Sequence, residues 1–278
     1  MMEERPIVME APLVIEGQKV RMIAFPSETP PDAQPIIQRT LDVLKPKTAF
    51  VLDHVLSPSE CKYIIDKGEE IGFDNLKFYK TQYRGNVRIM VSSHSLSATV
   101  FERIKQYLPD NLNISLKYDS INGKWKLHEV NEMWRLCKYN LGGAFAPHLD
   151  GNFVRDSDNR SYLTFMIYLS EGIDGGATRF LEQHSHKVVA SVQPKVGSVL
   201  VFQHDMWHDG ETVNAGLKYI MRTDVMYRRV DTTRTAQEQL NEQKARHLIK
   251  EAESLEYTNP SGAVSLLKQA YKIYPPIE

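Results

Sequence analysis

The spacing of apolar residues predicts two helices in the first half of the chain. After the apolar run AFVLDHVL, Ser57 offers a capping hydroxyl, with Pro58 at the first helical position and Glu60 three residues after the cap. A helix is therefore predicted near 58–71, where apolar residues recur at helical spacing: Cys61, Ile64, Ile65, Gly68 and Ile71. A second helix is predicted near 98–107, beginning at Ser97 and ending before Pro109.

From about residue 133 to 229 the spacing of apolar residues changes from that of helices to that of β-strands. The runs MWRLCKY, SYLTFMIYLS, HKVVASVQ, GSVLVFQH and LKYIMRTDVMYR are separated by glycine-containing turns. Several short strands at this spacing predict an all-β sandwich or barrel, with the helices packed outside. The polar segment 150–160 has no apolar period and is interpreted as a long loop. Two short β-like runs, IVMEAPLVIEG and KVRMIAF, precede a proline-rich break within residues 1–34.

The composition changes again after Arg229, where the pattern predicts two helices broken near Asn259 and Pro260. The predicted apolar faces are Ala245, Leu248, Ile249 and Ala252 on one helix, and Ala263, Val264, Leu267, Ala270 and Tyr271 on the other. The pair is similar to one unit of a helical repeat, without a second copy. Such a hairpin either docks on the β domain or forms an arm for dimerisation or partner docking. The predicted division is an extension over 1–45, a β domain over 46–230 and a helical appendage over 231–278.

Charge and composition narrow the function classes. The 278 residues carry 34 basic and 35 acidic side chains, so a net charge of −1 gives no general attraction to nucleic acid or an anionic membrane. The chain shows no apolar run long enough for a membrane span and begins with an acidic segment unlike a signal peptide, which predicts an intracellular, cytoplasmic or nuclear protein. The two cysteines, Cys61 and Cys137, lie in apolar patterns and are interpreted as buried free thiols.

The stretch FAPHLDG contains a candidate metal-binding pair. In a strand, side chains two apart point to the same side, so His148 and Asp150 can bind one ion while Leu149 packs the other way. Iron(II) sites that activate oxygen commonly use two histidines and one carboxylate. The run VLVFQHDMWHDG offers His204 and His208 as the second histidine. Their separation mimics the helical spacing of a zinc site, but the flanking residues are β-like and provide no further zinc ligand.

Two cationic residues on the next predicted strand indicate what kind of ligand the site could bind. Lys218 lies ten residues after His208, and Arg222 shares its face at a period of two. A cation buried in a β-barrel is costly unless it meets an anion. A dicarboxylate cosubstrate would supply that anion, with one end at the metal and the other at the cation.

Five ordered motifs resemble those of the prolyl-4-hydroxylase-like 2-oxoglutarate- and iron(II)-dependent oxygenases. The family pattern Y-x-x-G-G-x-[FY]-x-P-H-x-D matches Tyr139 to Asp150, and its T-x-x-x-Y-[LM]-S pattern matches Thr164 to Ser170. The G-G-A-T-x-F and P-K-x-G patterns follow at 175–180 and 194–197, and H…G-x-K matches His208, Gly216 and Lys218. The resemblance covers about 133–229, with a weaker similarity in RGNVRIMVSS at 84–93.

This resemblance implies a fold and a set of ligands. The expected fold is mainly β with flanking helices, an α+β arrangement around a double-stranded β-helix (jelly-roll, cupin-like) core. The implied iron(II) ligands are His148, Asp150 and His208. Lys218 would bind the distal carboxylate of 2-oxoglutarate, with hydroxyls from Tyr139 and Thr164 in the same pocket. Arg222 is either an alternative anchor for the cosubstrate or the partner of Asp224 or another carboxylate.

The resemblance also implies a reaction. A dioxygenase of this family uses O2 to convert 2-oxoglutarate to succinate and CO2 while it hydroxylates a C–H bond, with ascorbate as a candidate reductant. A prolyl residue in a protein or peptide is the favoured substrate. Relatives that act on free amino acids, other small molecules or alkylated bases leave the choice open, although the neutral net charge argues mildly against nucleic acid. A catalytically silent protein that binds metal and 2-oxoglutarate is the alternative of a different class.

Three residues are candidates for substrate contact. Arg84 and Asn86 lie in the segment YRGNVR, where ordinary solvated loop residues are the alternative interpretation. Trp207 directly precedes His208 and could either pack in the core or stack on substrate.

Overall fold

The computed structural model describes residues 14–15, 17–26, 30–76, 80, 83–115, 121–232, 234–256 and 258–275. Its strands in this part of the chain are β1 (Val14–Ile15), β2 (Gln18–Met22), β3 (Ile37–Thr40), β4 (Ala49–Asp53), β5 (Asn86–Ser92), β6 (Asn111–Ile114), β7 (Gly123–Val130), β8 (Met133–Tyr139), β9 (Phe145–His148), β10 (Val154–Asp156), β11 (Asn159–Tyr168), β12 (Asp174–Gly175), β13 (Thr178–Leu181), β14 (Val188–Val192), β15 (Val199–Gln203), β16 (His208–Gly210), β17 (Val213–Ala215) and β18 (Lys218–Arg229). Its helices are α1 (Pro58–Ile71), α2 (His94–Ile104), α3 (Ala236–Leu255) and α4 (Pro260–Ile273).

Two sheets form the body of the protein. The large sheet has the order β1-β2-β5-β8-β18-β11-β15-β4-β3, and β10, β6 and β7 pair at its side. The small sheet has the order β14-β13-β16-β9, and β12 pairs with β17. No described helix is long and apolar enough to cross a bilayer.

The alternation of side chains along β11 separates two hydrophobic cores. Leu163, Phe165 and Ile167 pack with α1 and α2 on one face of the large sheet. The intervening Met166 and Tyr168 face the small sheet and pack with residues such as Phe180 and Val192. Because successive strand residues point to opposite faces, one sheet can carry both cores. The predicted jelly-roll class, mainly β with helices outside, is confirmed.

The first predicted helix is confirmed and the second begins earlier than predicted. At α1, the Ser57 hydroxyl accepts from the Glu60 amide while the Glu60 side chain accepts from the Ser57 amide, so the predicted capping box is present. The cap of α2 is Ser93 and not Ser97. Ser97 instead lies inside the helix, where its hydroxyl donates to the carbonyl of Asn131 and accepts from Trp134 Nε1 at 2.9 Å.

The interpretation of 150–160 as one long loop is wrong for its second half. Val154–Asp156 forms β10, which pairs with the start of β11 to make a β-hairpin. Ion pairs and hydrogen bonds hold this hairpin, including bonds from Arg155 to Glu129 and Glu132. A search for apolar periods does not detect a strand that is held by polar contacts.

The C-terminal segment forms the predicted pair of helices, and Asn259 caps the second. The predicted faces are only partly buried, since Val264 and Tyr271 are exposed while Ala245 and Ala270 are buried. The pair contacts the β domain through polar contacts of α3, as the docked alternative predicts. An added role in dimerisation or partner docking stays a prediction. The predicted domain boundaries stay a prediction. In the N-terminal extension, β2 lies in the second predicted β-like run, and most of the first run lies outside the described residues.

The motif glycine Gly197 is required by a close backbone approach. Its φ is +73°, and a Cβ at this position would lie 1.9 Å from the carbonyl oxygen of Leu56. Gly197→Ala is therefore expected to lower the free energy of unfolding by more than about 1 kcal/mol, measured by urea denaturation. Gly151→Ala is the control, since its Cβ would meet no atom within 4 Å. Equal stability of the two variants would contradict this account.

Candidate active site

The three predicted metal ligands meet on the small sheet. His148 ends β9, His208 begins β16, and the two are paired residues in the antiparallel register of these strands. Asp150 follows two residues after His148. Asp150 Oδ1 lies 3.7 Å from His148 Nε2, and its Oδ2 lies 3.8 Å from His208 Nε2. One ligand atom from each residue falls within 4.8 Å of the others, so the three side chains can hold one ion.

Backbone carbonyls orient both imidazoles. His148 Nδ1 lies 2.8 Å from the carbonyl oxygen of Ala146, and His208 Nδ1 lies 2.9 Å from that of Met206. Because a carbonyl oxygen only accepts, each Nδ1 carries the proton and each Nε2 keeps its lone pair. The His148 ring also stacks on Phe145, with ring centroids 3.7 Å apart. The geometry thus presents two Nε2 atoms to the same point.

The protonation states suit a cation. Burial, together with the neighbouring His208, lowers the pKa of His148 to about 4. Burial also lowers the pKa of His208. Burial by itself would raise the pKa of Asp150, but the Arg222 guanidinium and His208 hold it well below its usual range. At neutral pH the site therefore holds two neutral imidazoles and one carboxylate, a donor set that fits iron(II) with positions left open.

Asp150 is held by two side chains from the large sheet. The Thr164 hydroxyl donates to Asp150 Oδ2 at 2.5 Å, and Arg222 Nη2 lies 3.0 Å from Oδ1. Arg222 Nη2 is also 3.6 Å from Asp224 Oδ1. Arg222 therefore pairs with two carboxylates, which is one of the two roles predicted for it and leaves it less suited to anchor a cosubstrate.

Asp224 is a buried carboxylate that the sequence did not identify as a site residue by itself. His204 Nε2 lies 3.3 Å from its Oδ1, and Arg135 Nη1 lies 4.0 Å from its Oδ2. Burial raises the pKa of Asp224, but the hydrogen bond from His204 and the charge of Arg222 outweigh burial and lower it. His204 thus supports this ion-pair network and lies outside the candidate metal ligands.

Lys218 is a buried cation of a different kind. Its side chain is 2% exposed, and its ammonium lies 5.0 Å from the centroid of the Tyr139 ring. Lys218 makes no ion pair within the described ranges. Burial lowers the pKa of this amine to about 8. An ammonium buried without a carboxylate is available to bind an anionic ligand.

An interior cavity joins Lys218 to the candidate ligands. It is lined by Arg84, Arg135, Cys137, Tyr139, Phe145, His148, Asp150, Thr164, Met166, Thr178, Phe202, His208, Asp209, Gly210, Lys218, Ile220 and Arg222. Tyr139 and Thr164, which were predicted to contribute hydroxyls, are both buried in this lining. As the period predicted, Lys218 and Arg222 reach the cavity from one face of β18. The cavity can therefore accept a ligand that spans from the metal ligands to Lys218.

A wider cleft of about 370 Å³ shares two of the candidate ligands, His148 and Asp150, with this cavity. It is lined by Tyr83, Arg84, Arg135, Phe145, His148, Leu149, Asp150, Gly151, Asn152, Phe153, Arg222 and Asp224. Residues 149–153, in the first half of the predicted loop, form part of its rim. The cleft gives a second molecule access to the same point of the site.

The candidate substrate residues occupy different places. Arg84 lines both cavities, with its guanidinium carbon 4.5 Å from the centroid of the Phe145 ring. Asn86 is buried and lines neither; its Oδ1 accepts from Arg84 Nε at 3.1 Å, so it supports Arg84. Trp207 also lies outside both linings and has its ring 6.2 Å from that of His186, a position that favours packing over substrate stacking.

Arg135 and Cys137 are cavity residues that the sequence interpretation missed. In the register of β8 and β18, Tyr139 pairs with Lys218, Cys137 with Ile220 and Arg135 with Arg222. The three β8 residues share one face because they are two apart in a strand. Counting back from Tyr139 in steps of two residues reaches Cys137 and Arg135, so the strand period could have identified both.

Thr164→Val is expected to weaken iron(II) binding by about 10- to 100-fold, because outer partners of metal ligands typically contribute that much to metal affinity. Valine keeps the shape of threonine but cannot donate to Asp150. The measurement is anaerobic calorimetric titration with iron(II). Thr178→Val is a matched control: Thr178 lines the same cavity, but its hydroxyl accepts from Tyr168 at 2.8 Å and not from the metal site. Unchanged affinity in Thr164→Val would refute the supporting role.

Comparison with known proteins identifies the domain. Residues 134–223 match the family model described as the 2OG-Fe(II) oxygenase superfamily. A comparison with curated proteins finds no significant match. The predicted enzyme class, a 2-oxoglutarate-dependent dioxygenase, is the class to which this domain belongs.

Several solved structures are similar to this chain at low identity. A viral collagen prolyl hydroxylase from Paramecium Bursaria Chlorella virus-1 is 18% identical, with 66% of this chain and 98% of that chain covered at a TM-score of 0.46. A Pseudomonas putida prolyl-4-hydroxylase is 17% identical, with 68% of this chain and 97% of that chain covered at a TM-score of 0.45. A Trichoplax adhaerens prolyl hydroxylase, in complex with a hypoxia inducible factor peptide fragment, is 15% identical, with 68% and 87% covered at 0.48. Likenesses this weak do not bear on substrate. In agreement with the ordered motifs, residues 134–223 of this chain thus match the 2OG-Fe(II) oxygenase superfamily.

Proposed function

We propose that the protein is a 2-oxoglutarate- and iron(II)-dependent dioxygenase that hydroxylates a C–H bond of a prolyl residue in a protein or peptide. The observation that carries the chemistry is the placement of Lys218. It is a buried ammonium without an ion pair to a described residue, in the same cavity as two neutral histidines and a carboxylate. A metal chelator with a distal carboxylate satisfies both groups, and 2-oxoglutarate has that chemistry.

Each residue has a distinct part in this proposal. His148, Asp150 and His208 hold the iron, and Lys218 neutralises the distal carboxylate of 2-oxoglutarate, with Tyr139 beside it. Bound iron(II) and 2-oxoglutarate would supply oxygen activation, giving succinate, CO2 and a hydroxylated product. Thr164 and Arg222 fix the orientation of Asp150 through its two oxygens.

The cleft supports an extended substrate. Tyr83 and Leu149 expose apolar surface at its rim, with exposed fractions of 42% and 45%. Arg84 offers a planar set of donors that can meet backbone carbonyl oxygens. An open cleft with an apolar rim and a guanidinium suits a peptide that presents one side chain to the metal ligands.

The enzymatic proposal is tested by aerobic incubation with iron(II), ascorbate and 2-oxoglutarate. Succinate should form, and it should be absent when iron is chelated. Tight binding of iron and 2-oxoglutarate without turnover of any substrate would instead support a catalytically silent binding protein. Omission of ascorbate tests its proposed part as a reductant.

The substrate proposal needs a separate experiment. Cell extract treated with the enzyme is compared by untargeted mass spectrometry with extract that lacks 2-oxoglutarate. The expected product is a +16 Da shift on a prolyl residue of a protein or peptide. A shift confined to free metabolites would reject the peptidyl substrate and favour a small molecule or free amino acid. An intracellular location, and dimerisation or partner docking through 231–278, remain predictions.

A further inference from the structure

The β10–β11 hairpin connects the substrate cleft to the C-terminal helices. Its near end is the cleft rim, residues 149–153, which follows directly from the proposed iron ligand Asp150. Phe153 and Ser161 close this end: the Phe153 amide donates to the Ser161 hydroxyl, and the Ser161 amide donates to the Phe153 carbonyl, both at 2.8 Å. Its far end is the turn at Ser157 and Asp158.

A buried carboxylate of α3 binds the far end. Glu242 is 1% exposed and accepts from the Ser157 amide at 2.7 Å and from the Ser157 hydroxyl at 2.6 Å. Arg246 donates to the same carboxylate at 2.9 Å. A buried carboxylate is costly unless it is fully paired, so these contacts fix the position of the hairpin turn relative to α3.

Arg234, just before α3, completes the connection. Its guanidinium pairs with both Glu242 of α3 and Asp158 of the hairpin turn. Within β10, Arg155 pairs with Glu132 at 2.6 Å and with Glu129 on β7. The hairpin thus has polar contacts both to the β7–β8 segment and to the C-terminal helices.

We infer that the C-terminal helical pair is a positioning element of the substrate cleft, in which Glu242 and Arg234 hold the β10–β11 hairpin and thereby its rim at residues 149–153. The inference rests on the proposed function for the identity of the cleft. Loss of the contact should loosen the rim and weaken substrate binding. Binding of 2-oxoglutarate should change little, because Lys218 and Tyr139 lie on the paired strands β18 and β8.

The decisive measurement is amide hydrogen exchange of the metal-free chain, which needs no turnover. In Glu242→Gln and Arg234→Gln, peptides spanning 149–160 should exchange about tenfold faster, the effect of losing roughly 1.4 kcal/mol of local stability. Glu251→Gln is the matched control, since Glu251 is an exposed carboxylate on the same helix. Ser157→Ala, which removes one donor and no charge, should show a smaller change in the same peptides and serves if the charge variants fail to fold.

Steady-state kinetics then separates positioning from a general loss of stability. Glu242→Gln should raise KM for the peptide substrate and increase succinate formed per hydroxylated product, with the 2-oxoglutarate dissociation constant unchanged. Exchange at 149–160 that stays at the wild-type rate in every folded variant would overturn the inference. If the variants exchange faster but the wild-type protein forms no succinate, the positioning contact is supported and the proposed function is rejected. Failure of the inference and failure of the proposed function are therefore distinguishable.

Discussion

Replacing His148 with alanine is expected to reduce succinate production by at least about 100-fold. Loss of a residue that only supports a metal ligand costs up to about 100-fold in activity, and loss of a direct ligand should cost at least as much. The change removes one of two Nε2 donors and leaves Asp150 and His208 to hold the ion. Iron binding by anaerobic titration should weaken in parallel. His208→Ala should give the same result, because the two histidines are paired residues on adjacent strands.

The control for these variants is His186→Ala. His186 is an exposed histidine in the turn between β13 and β14, outside the candidate ligands. Thermal unfolding of each variant shows whether the fold persists. Full succinate production by folded His148→Ala would remove His148 from the metal site and would refute the proposed ligand set.

Lys218→Ala is expected to raise the dissociation constant of 2-oxoglutarate by about 30-fold or more, corresponding to the 2 kcal/mol or more that a buried charge pair contributes when one partner is removed. Iron binding should remain, since Lys218 is not one of the candidate ligands. Lys138→Ala is the control, because Lys138 is on the neighbouring strand β8 and pairs with Glu69 at 2.8 Å. A dissociation constant that Lys218→Ala leaves unchanged would favour Arg222 as the anchor.

The pH dependence of cosubstrate binding gives the same residue a second test. Burial lowers the pKa of Lys218 to about 8, so the free protein loses the ammonium charge as pH rises through 8. Affinity for 2-oxoglutarate should be constant below that pH and should fall about tenfold per unit above it, since one proton must then be taken up on binding. Lys218→Arg keeps its charge and should show a flat profile between pH 7 and 9.5. A wild-type profile that is equally flat would contradict this role.

The sequence alone predicts the candidate ligands, because their spacing is a local property of the chain. His148 and Asp150 are two apart in an extended segment, and the order of the motifs selected His208 over His204. The structure shows why that selection matters: His204 is equally buried but faces Asp224. Local period alone could not separate the two histidines, since both follow the same β-type run.

The different roles of Lys218 and Arg222 could be assigned only from the three-dimensional structure. Both lie on one face of β18, so the strand period treats them alike. What distinguishes them is the partner that each meets, because Arg222 pairs with the carboxylates of Asp150 and Asp224. The strand β10 was missed for a related reason, because the contacts of Arg155 and Ser157 join segments distant along the chain.

The division of the site between two sheets has a consequence for ligand length. His148 and His208 lie on the small sheet and Asp150 lies two residues after the end of its strand β9, whereas Lys218 belongs to the large sheet. A ligand that bridges the two sheets would lie against Met166 and Phe202, whose side chains line the same cavity. We expect these side chains to limit the length of dicarboxylate that fits between the metal ligands and Lys218, so that a five-carbon diacid binds better than homologues one methylene shorter or longer.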